Sequence, residues 1–282
     1  MPPFLSVSVI VLTKNEAFNL PRLFASLAWC NDVHVVDSES TDETRTLAES
    51  AGAHVYVHPF EGFGAQRNWA LSNCRIKHEW VLFLDADEVT PPAFVRALEE
   101  ATRSAAPSVA GYYCCWKMMV EGVWLKRCDH FPKWQFRLLR PGRARFIDYG
   151  HGQKEDSVEG DALYLPEPYE HHALSKGWAD WLDRHNRYST REAIERLESP
   201  LDWKGLFSAE GPRRNRSLKT WVSRIPGWPP VRFLMTYFFN LGFLEGRAGF
   251  NYCVNLAYYE YLIQLKMNEM KRAGTASAPP PD

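Results

Sequence analysis

Several familiar signatures are missing from this 282-residue chain, and each absence removes a class of function. Six cysteines occur without a C-x-x-C pair, and Cys114, Cys115, Cys128 and His130 have the wrong spacing for a zinc site. Residues Met1 to Ser6 lack a basic start and a long apolar run, so no secretory leader is expected. Reduced thiols in a cytosolic setting then fit best. Neither sign of charge is in excess: 33 Lys and Arg face 34 Asp and Glu, a net charge of -1. That balance gives no nucleic-acid footprint. "GFGAQRN" lacks a third glycine and does not follow a strand in the required way, which disfavours a dinucleotide fingerprint. The glycine-rich phosphate loop expected of a nucleotidyltransferase is not found, and there is no internal repeat.

What is present is a core-forming composition, with 45% hydrophobic residues, 24% charged and 14% aromatic. The length suits one large domain or a domain with an appendage. "SVSVIVLTKNE" reads as a buried strand ending at polar residues, with Asn15 or Thr13 capping the helix in "AFNLPRLFASLAW". "DVHVVDSES" is a second strand ending at Asp37, followed by a helix closed by Gly52. "AHVYVHPF" alternates as a third strand, "GAQRNWALSNC" is helical, and "EWVLFLDADE" is a fourth strand. Strands alternating with helices predict an α/β fold with a mostly parallel sheet flanked by helices. Ligands bind outside the carboxyl ends of such strands, so Thr13, Glu16, Asp37, Asp85 and Asp87 fall on one rim. Pro91 and Pro92 open a further helix. Strand-like pieces follow from Gly111 to Leu165, and helical patterning starts at Gly177. Ser199 to Pro230 reads as a loop-rich connection, and Val231 to Arg272 as helical and aromatic. The expected division is 1–172 catalytic, 173–272 helical extension and 273–282 disordered tail.

The acidic end of the fourth strand carries the chemistry. Asp85, Asp87 and Glu88 repel one another unless something positive sits among them. Carboxylates at i and i+2 can direct oxygens to one point, where Mg²⁺ or Mn²⁺ would share them with a diphosphate. The other reading is an acidic turn capping the next helix, the role expected for Glu88. Asp37 can accept from a uracil N3–H or a ribose hydroxyl, since Ser40, Thr41 or Asp42 already supplies the helix cap. Glu16 can face the base or ribose. Arg67 can pair with a phosphate or with Asp85 or Asp87. His171 and His172 read as structural.

"VIVLTKNEAFNLPRLFASL", "VVDSESTDET", "QRNWAL" and "FLDADE", in this order, resemble family-two glycosyltransferases of the GT-A fold. "EHHALSKGWADWLDRHNRYSTREA" and "YFFNLGFLEGRAGFNYCVNLAYYEYLIQLK" resemble later segments of the lipopolysaccharide-core β-1,4-glucosyltransferase-like subgroup. The resemblance implies an inverting, metal-dependent transfer of a hexose from a nucleotide-diphosphate sugar, a UDP-sugar for preference. The acceptor would be a lipid-linked or cell-surface glycan of lipopolysaccharide-core or exopolysaccharide type. Thr13, Glu16 and Asp37 would hold the nucleoside, Arg67 would lie near the phosphates, and Asp85 and Asp87 would flank the metal. The subgroup's Val-His-Glu piece is replaced by "YGHGQKED", with Gln153 where the glutamate is expected. Since an amide takes no proton, Glu155, Asp156 or His151 is expected to serve as base. For Glu155 and Asp156 the other reading is a solvated loop. The same departure keeps a catalytically silent nucleotide-sugar-binding or scaffold subunit in view.

"PPVRFLMTYFFNLGFLEG" is broken by Thr236, Asn240 and Gly242 and falls short of the roughly 20 apolar residues a membrane span needs. Its aromatics and surrounding bases suit a helix lying in a bilayer interface, or plain packing on the sheet domain. A cytoplasmic enzyme, peripheral on the inner face of the plasma membrane, is the expectation.

Overall fold

The structure is a computed structural model that describes residues 4–149, 152–199, 201–222, 224–225 and 227–274. His151 and residues 275–282 of the expected tail lie outside the described residues. The chain divides into two compact units, with the boundary between Lys176 and Gly177.

In the first unit, β1 (Val7–Thr13), α1 (Leu20–Ser26), β2 (Val33–Asp37), α2 (Thr44–Ser50), β3 (His54–Val57), α3 (Phe63–Asn73) and β4 (Trp80–Asp85) alternate as the hydrophobic pattern requires. They are followed by β5 (Glu88–Val89), α4 (Pro92–Ser104), β6 (Val109–Val120), β7 (Val123–Trp124) and β8 (Trp134–Leu139). The last strands are β9 (Ala144–Tyr149), β10 (Gly152–Val158) and β11 (Asp161–His171). The main sheet runs β3-β2-β1-β4-β8-β6-β11-β5, with β7 paired to β6, while β9 and β10 form a separate two-stranded sheet. Along that order only β8 and β5 oppose the others, so the sheet is mostly parallel.

Both faces of the central strands are covered, which explains the unbroken apolar run of β1. Val7, Val9 and Val11 face Leu20 and Leu23 of α1 and Phe94 and Leu98 of α4. Ile10, Val81 and Phe83 face Ala70 of α3 and Phe146 of β9. Alternate residues of one strand thus enter opposite cores, as the period of two dictates. Gly64 lets α3 approach β9: a Cβ there would lie 2.5 Å from the Ile147 carbonyl carbon.

The expected cap of the first helix is corrected. Helix α1 begins after Asn19, with no side-chain cap. Asn15 instead adopts a left-handed backbone (φ 56°), which asparagine tolerates better than most residues. Its N–H donates to Ser40 Oγ (2.8 Å) and its Oδ1 accepts from the Thr41 N–H (2.8 Å), lacing the loop after β1 to the loop after β2.

The second unit contains α5 (Gly177–Glu198), α6 (Trp203–Leu206), α7 (Gly211–Val222), α8 (Trp228–Leu234) and α9 (Gly246–Ala273). The stretch expected as a loop-rich connection is therefore largely helical, with α7 at its centre. The segment around Met235 is not one helix. A π-helical turn (Met235–Phe239) stops at Asn240, Leu241 is left-handed (φ 58°), and a 3-10 turn (Gly242–Glu245) leads into α9. The Arg196 guanidinium of α5 donates to Glu260 on α9 (2.8 Å) and to Glu192 on its own helix (2.9 Å). Ala193, Ile263 and Met267 pack beside that network. Among the described residues no helix is long and apolar enough to cross a membrane.

Candidate active site

Strand register sets the rim. Thr13 lies opposite Asp37, and Leu12 opposite Asp85, so the carboxyl ends of β1, β2 and β4 are level. Beyond Asp85 the chain turns through Ala86 and Asp87 into β5, which pairs antiparallel with the end of β11. That pairing sets His171 opposite Glu88 and brings His171 Nε2 within 3.4 Å of Asp87 Oδ2. The His172 N–H donates to the Asp87 carbonyl (2.9 Å), fixing the turn.

The acidic tip finds its positive partners inside the chain. Arg137 of β8 donates to Asp85 Oδ2 (2.8 Å), Asp85 Oδ1 (3.3 Å) and Glu88 Oε1 (3.0 Å). Gln135 Oε1 accepts from Arg137 Nε at 2.9 Å and orients the fork. Arg67 Nη2 lies 3.5 Å from Asp85 Oδ1, and its Nη1 donates to the Phe63 carbonyl (3.2 Å). Its guanidinium carbon sits 5.5 Å from the Phe83 ring centroid. Glu88 does not cap the following helix, as expected of it: its side chain is 1% exposed, and Oε2 accepts from the Asp85 N–H (2.8 Å).

Burial and partners together set the ionisation of this cluster. Burial opposes charge on Asp85, but Arg137 and then Arg67 outweigh it and hold the carboxyl well below the usual carboxylate range. For Glu88 burial prevails over the pull of Arg137 and pushes the group up to about 7. Burial disfavours the imidazolium of His171, yet Asp87 lifts it to about 9. Arg137 is raised because Asp85 and Glu88 overcome its own burial. Arg67 is lowered to about 10 by burial, with Asp85 opposing, and its Nε is buried without a hydrogen-bond partner.

Asp37 was read as having no structural task, and the structure corrects that. Its side chain is fully buried, accepting from Thr13 Oγ1 (3.0 Å), the Ser40 N–H (2.9 Å) and Ser40 Oγ. It braces the loop after β2 instead of presenting a free carboxylate. Glu16 is held by Asn19 Nδ2 (2.6 Å) and Lys176 Nζ (2.7 Å). Burial raises its pKa against both partners. Gln66 reaches Ser38 Oγ (3.1 Å), and Asn68 pairs in both directions with the backbone of Phe146 (2.8 and 3.0 Å). Both are architectural.

Of the three expected bases, Glu155 and Asp156 stand on β10, and His151 lies outside the described residues. Glu155 Oε1 accepts from the Tyr113 hydroxyl at 2.7 Å, and Asp156 is exposed at a register shift of the strand. Sequence reasoning did not single out Arg137, and it read His171 as structural. The signal for Arg137 was an arginine among the apolar residues of "WQFRLL"; no local signal marks His171, whose place depends on β11 returning to β5.

The Asp87 carboxylate and the His171 ring converge, with the Asp85 side chain keeping 41% exposure beside them, and His171 becomes a donor for a divalent cation once that cation displaces the proton it shares with Asp87. This oxygen-and-nitrogen set fits a cation that shares a diphosphate. Among the described residues no group of three His, Cys, Asp or Glu is gathered tightly enough to hold a metal unaided. The remaining ligands would have to come from substrate and water.

Residues 8–149, which include the carboxyl ends of β1, β2 and β4, match the glycosyl transferase family 2 profile. The chain belongs to glycosyl transferase family 2. This family-2 chain is 27% identical over 276 residues to the lipopolysaccharide core biosynthesis glycosyltransferase LpsC of Rhizobium meliloti, across 95% of this chain and 93% of that protein. It is 45% identical over 83 residues to an uncharacterized glycosyltransferase of Rickettsia bellii, covering 29% of this chain and 28% of that protein's length. Among solved structures, S. aureus TarS 1-349 in complex with UDP overlaps at a TM-score of 0.43 and 17% identity, across 95% of this chain and 92% of that one. That overlap is too loose to carry a functional argument.

Proposed function

We propose that this family-2 chain transfers a hexose, with inversion, from a nucleotide-diphosphate sugar to a lipid-linked or cell-surface glycan of lipopolysaccharide-core or exopolysaccharide type. The observation that carries the reading is the rim at β4, where Asp87 and His171 converge beside the Arg-held Asp85. Likeness to LpsC along nearly the whole chain supports the acceptor class. Asp87 and His171 would hold Mn²⁺ or Mg²⁺, with Asp85 alongside. When bound, that ion neutralises the diphosphate and makes it a better leaving group. Arg67 and Arg137 keep Asp85 ionised and fixed, and Arg67 adds positive charge close to the phosphates. Thr13, Asp37 and Glu16 shape the loops that receive the nucleoside, Asp37 through its bonds to Ser40 and Thr13.

In the transfer a base takes the proton of the acceptor hydroxyl as its oxygen bonds to the anomeric carbon. The bond from that carbon to the diphosphate breaks, and the nucleoside diphosphate leaves with the electron pair. Asp156, His151 or Glu155, the last oriented by Tyr113, is the proposed base. If Glu155→Gln, Asp156→Asn and His151→Ala all keep near-wild-type turnover, the base lies elsewhere. The enzyme is proposed to work as a peripheral protein at the inner face of the plasma membrane, where lipid-linked acceptors are met.

A second reading, a silent nucleotide-sugar-binding or scaffold subunit, draws on Gln153 and on the engagement of Glu155 by Tyr113. Release of nucleoside diphosphate from a panel of UDP-, GDP- and dTDP-sugars, with Mn²⁺ or Mg²⁺ and a lipid extract as acceptor, separates the two. Turnover on one donor supports the transferase; tight donor binding with no turnover on any donor supports the silent subunit.

A further inference from the structure

The second unit carries an apolar surface that neither the rim chemistry nor the core explains. Between α8 and α9 the helix breaks, and the π-helical turn, left-handed Leu241 and 3-10 turn push side chains outward. Within residues 234–244, Leu234, Phe238, Leu241 and Phe243 are exposed, Leu244 is 55% exposed and Phe239 81% exposed. Burying one aromatic ring in a core is strongly favourable, so several left in water together mark an interaction surface. The segment is packed where it joins the flanking helices. Phe233 stacks on Tyr237 (5.2 Å between centroids), and Phe250 packs edge-on against Tyr237 (5.6 Å). Gly249 lets α9 pass close to the turn, since a Cβ there would lie 2.3 Å from the Gly242 carbonyl oxygen.

Helix α9 continues the surface. Phe250, Val254, Tyr258, Tyr261 and Leu265 are all exposed, and their spacing of four, four, three and four residues puts them on one stripe. Ala248, Tyr252, Cys253, Ile263 and Met267 are buried, so the helix has an inner and an outer apolar side. The outer stripe extends about 22 Å at 1.5 Å per residue.

Charge selects the occupant. Residues 201–274 hold eleven Lys and Arg against five Asp and Glu, a surplus of six positive charges in a chain whose net charge is -1. Arg232 and the exposed Arg247 bracket the protrusion in sequence, and Lys271 and Arg272 end α9. Aromatic and aliphatic side chains in a basic surround are the chemistry of a helix lying in an anionic bilayer interface, with tyrosine rings at headgroup depth. A helix-pairing surface for a second copy would show its charges balanced along the flanks.

We propose that the 234–244 protrusion inserts into an anionic lipid leaflet, with the Phe250-to-Leu265 stripe lying along the headgroup boundary. This rests on the reading of the enzyme as a peripheral membrane protein and names the surface and lipid class that would make it so. Insertion reaches about 5–10 Å, the depth of an interfacial helix, and needs no span.

The test uses the full chain and vesicles of phosphatidylcholine, with or without 30 mol% phosphatidylglycerol, in a flotation assay. The wild type is expected to float with the anionic vesicles at least tenfold better than with the neutral ones. Phe239→Asp with Leu244→Asp is expected to lose that binding at least tenfold, with an unchanged circular-dichroism melt. Phe239→Trp is a second variant that keeps the apolar character, and its fluorescence should be quenched by lipids brominated on the acyl chains. No flotation of the wild type, equal flotation of the aspartate variant, or an unquenched tryptophan overturns the proposal. So does a concentration-dependent dimer abolished by the same aspartates when flotation is absent. Donor-sugar turnover in solution, measured in parallel on the aspartate variant, reads the transferase separately: lost flotation with retained turnover leaves the catalytic reading standing.

Discussion

Replacing Arg137 with methionine is the perturbation that most exposes how the acidic tip is held together. The substitution keeps the length and apolar stem of the side chain while removing the guanidinium. Three bonds to carboxylate oxygens vanish, at 2.8, 3.3 and 3.0 Å. Asp85 retains Arg67 at 3.5 Å and partial access to water, but Glu88 is left fully buried with the Asp85 N–H as its hydrogen-bond donor and His171 as its nearby positive charge. Breaking a buried ion pair by removing one partner costs about 3–5 kcal/mol, most of it for the stranded charge. At about 2–4 °C per kcal/mol for a unit of this size, the melting temperature should fall by roughly 6–20 °C.

Loss of the counter-charge to Glu88 has two further consequences. Adding Glu88→Gln to the Arg137→Met background should recover about 1–3 kcal/mol, because the amide needs no counter-charge. The pH dependence should also change in a defined sense. Glu88 in the folded protein is raised to about 7 from 4.5, so its contribution to stability is full below 4.5 and is lost as pH rises through about 7. Without Arg137 that pKa rises further, so the gap between variant and wild type should widen from pH 6 to pH 8. Urea unfolding followed by tryptophan fluorescence at the two pH values measures all of this. A double variant no more stable than the single one, or a gap that narrows toward pH 8, would refute the reasoning.

Gly64→Ala forces a Cβ to within 2.5 Å of the Ile147 carbonyl carbon, and backbone cannot swing aside, so a loss of about 1–3 kcal/mol is expected in urea unfolding. Asp37→Ala strands the Thr13 hydroxyl together with the Ser40 N–H and hydroxyl; it should cost about 1–3 kcal/mol and weaken nucleotide binding seen by calorimetry. Away from the rim, Asp32 accepts from Ser8 Oγ and from the Lys77 N–H (2.9 Å), and these bonds hold its pKa below the usual value despite burial. Its stabilising contribution is present above pH 3.8 and is lost as pH falls through the lowered folded value. Asp32→Asn should therefore lie below wild type in melting temperature at pH 7 and converge with it in acid.

The rim was legible in the sequence because β1, β2 and β4 are short, mostly apolar runs that stop at a polar residue. Alternation of strand and helix then sets those ends side by side, as the register of Thr13 with Asp37 bears out. The fate of individual carboxylates was not legible. Asp37 looked free because the nearby cap residues were counted as sufficient, yet its acceptors are consumed by Ser40 and Thr13, one of them 24 residues away. Arg137 and Asp85 are 52 residues apart, and only the antiparallel seating of β8 against β4 brings them into contact. His171 reaches Asp87 across a two-residue strand that no periodicity could announce. The helix α7 was hidden by its own composition, since it opens with Gly211 and Pro212 and continues through three arginines and an asparagine, weakening the apolar period on which a helix is recognised.

Asp87, in the turn after β4, and His171, at the end of β11, are proposed to hold the diphosphate of a sugar donor through a divalent cation. Calorimetric titration of UDP, GDP and dTDP into the wild type and into Asp87→Asn, each with and without Mn²⁺ at about 1 mM, measures this. Mn²⁺ is expected to tighten at least one nucleotide at least tenfold in the wild type; Asp87→Asn should remove that gain while still unfolding cooperatively, at a melting temperature lowered by loss of the His171 ion pair. Equal Mn²⁺-dependent tightening in both proteins would contradict the proposal.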